Sequence, residues 1–200
     1  MHYVSHLSND TKLKLLIEEQ GALPLKKRKD VFNILCASIM SQQLSTKVAR
    51  VFHERFLKLY LGKMPTPEQL LETPFETLRG IGLSNAKASY IQNIARFAIE
   101  QGLEYRKLQQ LSNEEIMNYL MQIKGVGRWT VQMQLMFTFG REDVFPYDDL
   151  GIQLSMIKLY DIRWRNKKRL IEKLNRIADG WSPYRTYACM HLWHWKDKGK

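Results

Sequence analysis

The amino-acid sequence predicts an all-α protein of about ten short helices. Leucine, isoleucine and valine recur at intervals of three and four positions, and no stretch shows the apolar–polar alternation of a half-buried strand. Serine, threonine, aspartate or asparagine stands before most of these apolar stretches, as is typical of helix N-termini. Glycine-containing loops at residues 79–83 and 124–128 are the clearest breaks between helices.

The helices of the N-terminal half are predicted from their capping residues. Asp10 precedes a leucine-rich stretch, and Asp30 precedes VFNILCASIM, which is apolar nearly all round and is expected to form a buried central helix. Ser45 precedes TKVARVFHERFLKLYL, which carries one apolar stripe. Thr66 and Thr73 each stand before a proline, the pattern of an N-cap followed by proline at the first helical position.

The C-terminal half shows the same signals. Ser84 precedes NAKASYIQNIARFAIE, and Ser112 with Glu115 has the spacing of a capping box. A further helix is expected from about Arg128 to Phe139. The last three helices are expected to follow the polar residues Asp149, Asn166 and Ser182.

Composition bounds the class of protein. The chain has 200 residues, of which 44% are apolar, so it can bury a core as one domain or two small lobes. No apolar run approaches bilayer length and the first residues lack a secretory signal, so we expect a cytoplasmic protein without membrane contact. Two cysteines, Cys36 and Cys189, are too few for a disulfide framework or a four-cysteine iron–sulfur cluster, and we expect buried thiols.

The charge is strongly positive and uneven. The chain carries a net charge of +11, and residues 161–200 contain eleven Lys/Arg against four Asp/Glu, which gives +7. A basic face of this kind suits a polyanion such as nucleic acid. A solvated surface is the alternative that charge alone leaves open.

A glycine turn lies in the string L-x-x-I-x-G-V-G-x-x-T-V, which begins at Leu120. Both glycines can adopt positive φ, and the N–H groups of the turn and of the next helix can bind a phosphate without reading sequence. A plain helix–helix turn is the alternative for the two glycines alone. The residues expected to bind DNA here are Gly125, Val126, Gly127, Arg128 and Thr130. The carbonyls expected to hold a sodium or potassium ion are those of Met121, Ile123 and Val126.

Two adjacent aspartates, Asp148 and Asp149, follow the second helix of this hairpin in the stretch GREDVFPYDDLG. Asp149 lies twenty-two residues after Gly127, and the intervening helix spans roughly 16 Å. The loop can therefore return the chain, so that an aspartate at the start of LGIQLSMIKLY faces the same surface as the hairpin. Either aspartate can instead simply cap this helix, and capping is compatible with catalysis because it fixes the direction of the carboxylate.

Four segments, taken in order, resemble the helix-hairpin-helix DNA glycosylases, and most closely their alkylpurine branch of 3-methyladenine DNA glycosylase II. They are residues 34–49 (ILCASIMSQQLSTKVA), 78–91 (LRGIGLSNAKASYI), 120–151 and 181–193 (WSPYRTYACMHLW). The chain is similar to the short members, which lack an N-terminal α/β domain.

The resemblance implies a two-lobed, all-α glycosylase fold with the active site in the cleft between the lobes. One expected lobe is residues 31–139, with the hairpin at about 113–139, and the other joins residues 1–30 to 140–200. The implied activity is hydrolysis of the C1′–N bond of 3-methyladenine or 7-methylguanine in damaged duplex DNA by a monomeric, monofunctional enzyme. A glycosylase for another lesion and a non-catalytic structure-specific DNA-binding module are the alternatives.

The resemblance also implies roles for individual residues. The catalytic carboxylate is expected at Asp149, with Asp148 as the second candidate. The expected base pocket consists of Trp129, Trp193, Met133 and Tyr147. The further expected DNA contacts are Gln43, Leu44, Ser84 and Lys87, of which Gln43 or Leu44 would fill the gap left by the flipped base.

Departures from the relatives bear on the chemistry. Bifunctional relatives carry a nucleophilic lysine at the position of Trp129, so Schiff-base lyase chemistry is not expected. We expect no required cofactor and no iron–sulfur cluster.

Overall fold

The computed structural model describes residues 2–42, 44 and 46–198, and within them every regular element is an α-helix. The predicted all-α class is therefore confirmed. The thirteen helices are α1 His2–Leu7, α2 Thr11–Gln20, α3 Val31–Ser41, α4 Thr46–Lys58, α5 Pro67–Glu72, α6 Phe75–Gly80, α7 Asn85–Glu100, α8 Tyr105–Leu108, α9 Asn113–Leu120, α10 Arg128–Phe137, α11 Leu150–Tyr160, α12 Lys167–Asp179 and α13 Arg185–Lys198. None of these described helices combines the length and apolarity that a membrane span requires.

The chain divides into two compact units, residues 27–139 and residues 1–26 with 140–200. The core of the unit 27–139 is α3, which packs on α4, α7 and α10. Leu35, Cys36 and Ile39 of α3 and Ile91 and Ile94 of α7 are fully buried. Each buried aliphatic side chain contributes about 1.5–3 kcal/mol through removal of apolar surface from water. The apolar character of VFNILCASIM therefore reflects a helix that is surrounded by others.

Capping residues begin most helices where the sequence predicts. Asp30, Ser84 and Asn166 each accept a backbone N–H from the first turn of the following helix. Ser112 and Glu115 form the predicted capping box, in which Ser112 N–H donates to the Glu115 carboxylate over 2.7 Å. Each such cap stabilises its helix by about 1 kcal/mol. Ser45, the predicted cap of α4, lies outside the described residues.

Thr73 does not cap a helix as predicted. Pro74 occupies the N-cap position of α6 and makes no side-chain capping bond, while Thr73 follows the end of α5. The Thr73 hydroxyl donates to the Gln69 carbonyl over 2.8 Å and lies 2.7 Å from the Tyr60 hydroxyl. These two local partners satisfy the hydroxyl at a helix C-terminus, so it is not available to the next helix.

Asp10 joins the N-terminal segment to the C-terminal helices in the unit formed by residues 1–26 and 140–200. Its Oδ1 accepts the N–H groups of Lys12 and Leu13 at the start of α2. Its Oδ2 accepts the Tyr160 hydroxyl over 2.7 Å and the Trp181 indole N–H over 3.0 Å. One carboxylate therefore holds α2, the end of α11 and the loop that follows α12.

A bidentate ion pair fixes the start of the loop that leads to α11. Arg185 donates to the two oxygens of Asp143 over 2.6 and 2.8 Å, and Ser182 adds a third hydrogen bond. Burial would raise the pKa of Asp143, but the hydrogen bonds from Arg185 and Ser182 outweigh it and lower the pKa. Arg185 therefore has a structural partner inside its own unit.

His191 is a buried polar residue on α13. Its Nδ1 lies 2.8 Å from Gln20 Oε1, and Gln20 Nε2 donates to the His191 carbonyl over 3.2 Å. Desolvation, with a smaller contribution from the charge of His194, lowers the pKa of His191 to about 4. The ring is therefore neutral at physiological pH, which suits its burial.

Candidate functional site

The glycine turn connects α9 to α10 in a tight hairpin. The Val126 N–H donates to the Ile123 carbonyl over 2.9 Å, which closes the turn. Gly125 has φ +103°, as the sequence predicts. Gly127 has φ −96° and ψ 173°, an ordinary extended conformation, so Gly125 uses the positive φ that both glycines can adopt and Gly127 does not.

The two glycines are needed for different reasons. A Cβ on Gly125 would overlap the ring of Tyr90, which projects from α7. A Cβ on Gly127 would meet nothing within 4 Å. Neither backbone conformation nor packing inside the protein therefore requires glycine at position 127. What its missing side chain provides is open approach to the backbone from outside.

The first turn of α10 presents backbone donors without a capping side chain. Gly127 is the N-cap and offers no side-chain acceptor to the N–H groups that begin a helix. Such groups, with the positive end of the helix dipole, attract an anion. Arg128 is exposed at this end, whereas the side chain of Thr130 is buried, so Thr130 can reach a ligand only through its backbone N–H.

The loop after α3 is tied to the hairpin. Gln42 Nε2 donates to Thr130 Oγ1 over 3.1 Å. Lys87 Nζ donates to the carbonyls of Met40 and Gln42 over 2.9 and 2.7 Å, and burial lowers the pKa of Lys87. The ammonium that was predicted to contact DNA thus uses two of its three N–H groups to hold the end of α3. Leu44 is half-buried and its N–H donates to Ser41, while Gln43 lies outside the described residues.

Helix α7 supports the hairpin through residues that the sequence did not single out. Tyr90 packs on Gly125, and Asn93 Nδ2 donates to the Lys124 carbonyl over 3.1 Å. Lys87, Tyr90 and Asn93 are three residues apart and therefore share one face of α7. This polar stripe on an otherwise apolar helix is the signal that could have identified them.

Asp149 is held at the N-terminus of α11 by two hydrogen bonds to the same oxygen. Its Oδ1 accepts the Ile152 N–H over 2.7 Å and the Trp193 indole N–H over 3.0 Å. Its own N–H donates to the Pro146 carbonyl over 2.9 Å. Asp148, in contrast, is exposed. Asp149 is therefore the aspartate whose carboxylate the structure orients.

Gly151 and Lys196 complete this cluster, and the sequence did not single out either of them. A Cβ on Gly151 would lie 3.0 Å from Asp149 Oδ1, 3.2 Å from Lys196 Nζ and 3.3 Å from Trp193 Cδ1. The ammonium and the carboxylate oxygen are therefore within roughly 6 Å of each other, where opposite charges attract. A glycine in the first turn of a helix, two residues after an aspartate, was the available signal.

The remaining predicted pocket residues fall into two groups. Trp193 contacts Asp149 in one unit, where Tyr147 is half-buried and its carbonyl accepts Gln153 Nε2 over 2.8 Å. In the other unit, Trp129 is half-buried and Met133 is 9% exposed, one turn further along α10. Ser84 is exposed and its side chain caps α7. No group of three or more histidine, cysteine or carboxylate side chains within the described ranges is arranged to hold a metal ion.

Comparison with protein families gives a match to the HhH-GPD superfamily of base excision DNA repair proteins over residues 36–179, more than half of the chain. The chain belongs to the HhH-GPD superfamily. The hairpin of α9 and α10 and the aspartate that caps α11 both lie inside the matched HhH-GPD region.

Individual relatives extend the HhH-GPD match over most of the chain. DNA-3-methyladenine glycosylase 1 of Schizosaccharomyces pombe is 36% identical over 168 residues, which cover 83% of this chain and 72% of that protein. The structure of S. pombe 3-methyladenine DNA glycosylase (Mag1) in complex with abasic DNA superposes with a TM-score of 0.88 and 33% identity, covering 96% of this chain and 95% of that one. The crystal structure of a DNA-3-methyladenine glycosidase from Bacillus halodurans superposes with a TM-score of 0.77 and 32% identity, covering 96% of this chain and 87% of that one. The predicted helix-hairpin-helix glycosylase fold is confirmed.

Proposed function

We propose that this chain is a monofunctional DNA N-glycosylase that hydrolyses the C1′–N bond of alkylated purines, such as 3-methyladenine and 7-methylguanine, in duplex DNA. Relatives that match most of the chain are named 3-methyladenine DNA glycosylases, and one was crystallised with abasic DNA, the product of base removal. The observation that carries the proposal is the Asp149 carboxylate, which is ordered by hydrogen bonds from Ile152 and Trp193.

Asp149 would act on the deoxyribose. Cleavage of a glycosidic C–N bond passes through a state with positive charge on the sugar. A fixed carboxylate beside the sugar stabilises this state more than the ground state, in which the positive charge lies on the alkylated base. The two hydrogen bonds to Oδ1 fix the direction of the carboxylate, which would face the sugar or orient the attacking water. Lys196 Nζ lies within roughly 6 Å of Asp149 Oδ1 and adds a positive charge near the carboxylate.

The base pocket would use Trp129, Trp193, Met133 and Tyr147. Alkylated purines are cationic, and indole faces attract such rings by cation–π interaction and stacking. Trp193 would have an additional task in this proposal. Its N–H donates to Asp149, and its ring would contact the base. The geometry of the carboxylate and the pocket wall would then be set by one side chain.

The hairpin would hold the DNA backbone. A phosphate would bind the N–H groups at the start of α10, next to Gly127 and Arg128, where the dipole and the open backbone favour an anion. A sodium or potassium ion on the carbonyls of Met121, Ile123 and Val126 would add positive charge beside it. These oxygens lie just beyond the carbonyl end of α9, although the Ile123 carbonyl already accepts one N–H.

The chemistry needs no organic or redox cofactor, because the leaving group is activated by its own charge. Position 129 is tryptophan rather than lysine, which leaves hydrolysis rather than Schiff-base formation as the route.

Base release from duplexes that each carry one lesion tests the proposal. The wild-type protein is expected to release 3-methyladenine and 7-methylguanine and to leave strands that break only after alkaline treatment. Asp149→Asn is expected to bind the same duplexes and to release base at least about 100-fold more slowly. Asp148→Asn, which removes the exposed neighbouring charge, is the matched control and is expected to retain activity.

The same panel distinguishes the alternatives. Release of only oxidised or deaminated bases would assign another lesion. Binding without release from any duplex would make the chain a DNA-binding module. Loss of activity in Asp148→Asn but not in Asp149→Asn would exclude Asp149 as the catalytic carboxylate.

A further inference from the structure

A basic surface with an exposed tryptophan lies at the end of α11 that is distant from Asp149. We call it the 163–173 surface, after the residues that line a depression of about 400 Å³: Arg163, Trp164, Arg165, Arg169 and Lys173. Helix α11 has eleven residues and separates this surface from Asp149 by about 16 Å. A nucleotide held at Asp149 therefore does not occupy it.

The charge of this surface is concentrated. Residues 161–176 contain seven Lys/Arg and two Asp/Glu, a net charge of +5 within sixteen residues. Arg169 pairs with Glu172 over 3.0 Å. In the part of the chain that the structure describes, no carboxylate lies within ion-pair distance of Arg163 or Arg165. Two guanidinium groups are therefore available to an external anion.

The loop that carries the surface is held in place. Lys173 Nζ donates to the Arg163 carbonyl over 2.7 Å, and Asn166 caps α12 through the Arg169 N–H over 3.0 Å. A second depression, of about 270 Å³, shares Arg163 and Lys173 and continues to Arg176. Arg163 and Lys173 therefore line two adjoining depressions, the second of which is also lined by Asp161.

Trp164 gives the surface its specificity. Its side chain is 48% exposed, and no aromatic ring or cation of the described residues stacks on its indole. An exposed indole offers a flat face on which another aromatic ring can stack, and a nucleobase is such a ring. A base inside a duplex has both faces covered by its neighbours, so only an unpaired base can stack here.

We propose that the 163–173 surface binds single-stranded nucleic acid, with one base stacked on Trp164 and the flanking phosphates on Arg163 and Arg165. Positive grooves that follow the backbone, combined with aromatic platforms, are the usual means of binding single strands without sequence preference. This second contact would let the protein hold an unpaired segment while duplex DNA occupies the hairpin.

The test measures binding of a short fluorescein-labelled oligothymidylate by anisotropy. Excess duplex with a tetrahydrofuran abasic-site analogue is present to occupy the proposed lesion site. Trp164→Ala is expected to weaken binding of the single strand by about 5- to 150-fold, and Trp164→Tyr to restore most of it. Arg163→Ala/Arg165→Ala is expected to reduce the slope of log K against log salt by about 1.4.

The matched control is Lys12→Ala/Lys14→Ala, which removes the same charge from exposed positions on α2 of the same unit. It is expected to leave Trp164-dependent binding unchanged. All variants are expected to melt with the wild type and to retain base release, because none of the altered residues lies in the proposed active site. If the glycosylase proposal is wrong, the wild type will show no base release, but Trp164→Ala will still weaken binding of the single strand.

Three results would overturn the proposal. Trp164→Ala could bind the oligomer as the wild type does. The control could lose as much affinity as the arginine variant, which would reduce the effect to overall charge. Vesicles of anionic phospholipid could bind through Trp164 while the oligomer does not, which would make the surface a membrane contact.

Discussion

The contrast between Gly125 and Gly127 yields the sharpest prediction about the hairpin. Gly125→Ala forces a side chain into φ +103°, which costs about 1–2 kcal/mol, and drives its methyl group into the Tyr90 ring, which costs about 1–3 kcal/mol more. The sum is a loss of about 2–5 kcal/mol in the free energy of unfolding. For a chain of this length, that corresponds to a fall in melting temperature of about 5–15 °C.

Gly127→Ala is expected to behave in the opposite way. Its φ of −96° suits any residue, and the new methyl group meets nothing within 4 Å. Replacing an N-cap glycine by alanine costs at most about 1 kcal/mol, so folding is nearly preserved. In the proposed phosphate site, the methyl group would obstruct the approach of a phosphate to the N–H groups of α10. Loss of charge-assisted hydrogen bonds there is expected to weaken duplex binding about 10-fold or more.

Two measurements on both variants test this reasoning. Urea unfolding gives stability, and anisotropy with a duplex that carries an abasic-site analogue gives affinity. Tyr90→Ala/Gly125→Ala separates the two costs, because it removes the ring but keeps the strained backbone. The reasoning is refuted if Gly127→Ala binds DNA as tightly as the wild type, or if Gly125→Ala is as stable as Gly127→Ala.

Three further predictions concern the other unit. Trp193→Phe keeps an aromatic ring but removes the hydrogen-bond donor to Asp149. The single-turnover rate of base release should fall about 10-fold while the affinity for duplex DNA is unchanged. An unchanged rate would show that this hydrogen bond does not contribute to base release. His191 has a pKa of about 4 in the folded chain and about 6.5 when unfolded, so protonation of its ring favours unfolding. The free energy of unfolding should therefore be highest above about pH 6.5 and should fall by about 2–3 kcal/mol as the pH drops toward 4. Urea titrations should show a smaller fall over this pH range for His191→Phe than for the wild type. Asp143→Asn breaks the pair with Arg185 and should lower the free energy of unfolding by about 1–2 kcal/mol at neutral pH; because the folded pKa of Asp143 is depressed, the difference should shrink as pH falls below about 4 and the wild-type carboxylate is itself protonated.

Helices with a local cause could be predicted from the sequence. Ser112 and Glu115 begin α9 through contacts between residues only three positions apart, so the local sequence is sufficient to predict this helix start. Helices α1 and α8 were missed because they have six and four residues and are held by distant partners. Tyr105 of α8, for example, stacks on Phe139 at 5.6 Å between ring centroids. Such helices are stable only in their tertiary setting.

The candidate site also combines local features, which the sequence predicts, with contacts between distant residues, which it does not. A cap at Asp149 is a local property and was predicted. The bond to Trp193 joins residues 44 positions apart, and nothing in the spacing of either residue shows that the indole N–H points at the carboxylate. Likewise, one Gly-x-Gly pattern contains two glycines with different functions, and only the position of Tyr90 separates them. The catalytic role of Asp149 stays a prediction until base release is measured.

The N-termini of α10 and α11 both favour a negative charge, but they differ in where that charge comes from. Helix α10 begins at Gly127, which brings no acceptor, so its dipole and its open N–H groups are left for an anion from outside. Helix α11 begins at Asp149, whose carboxylate accepts the Ile152 N–H in the first turn. In the proposed function, the first end would hold the negative backbone of DNA, while the second would present a fixed negative charge to a sugar that becomes positive. Under this proposal, an aspartate at the cap of α10 would repel the phosphate, and a glycine at the cap of α11 would leave the sugar without its carboxylate.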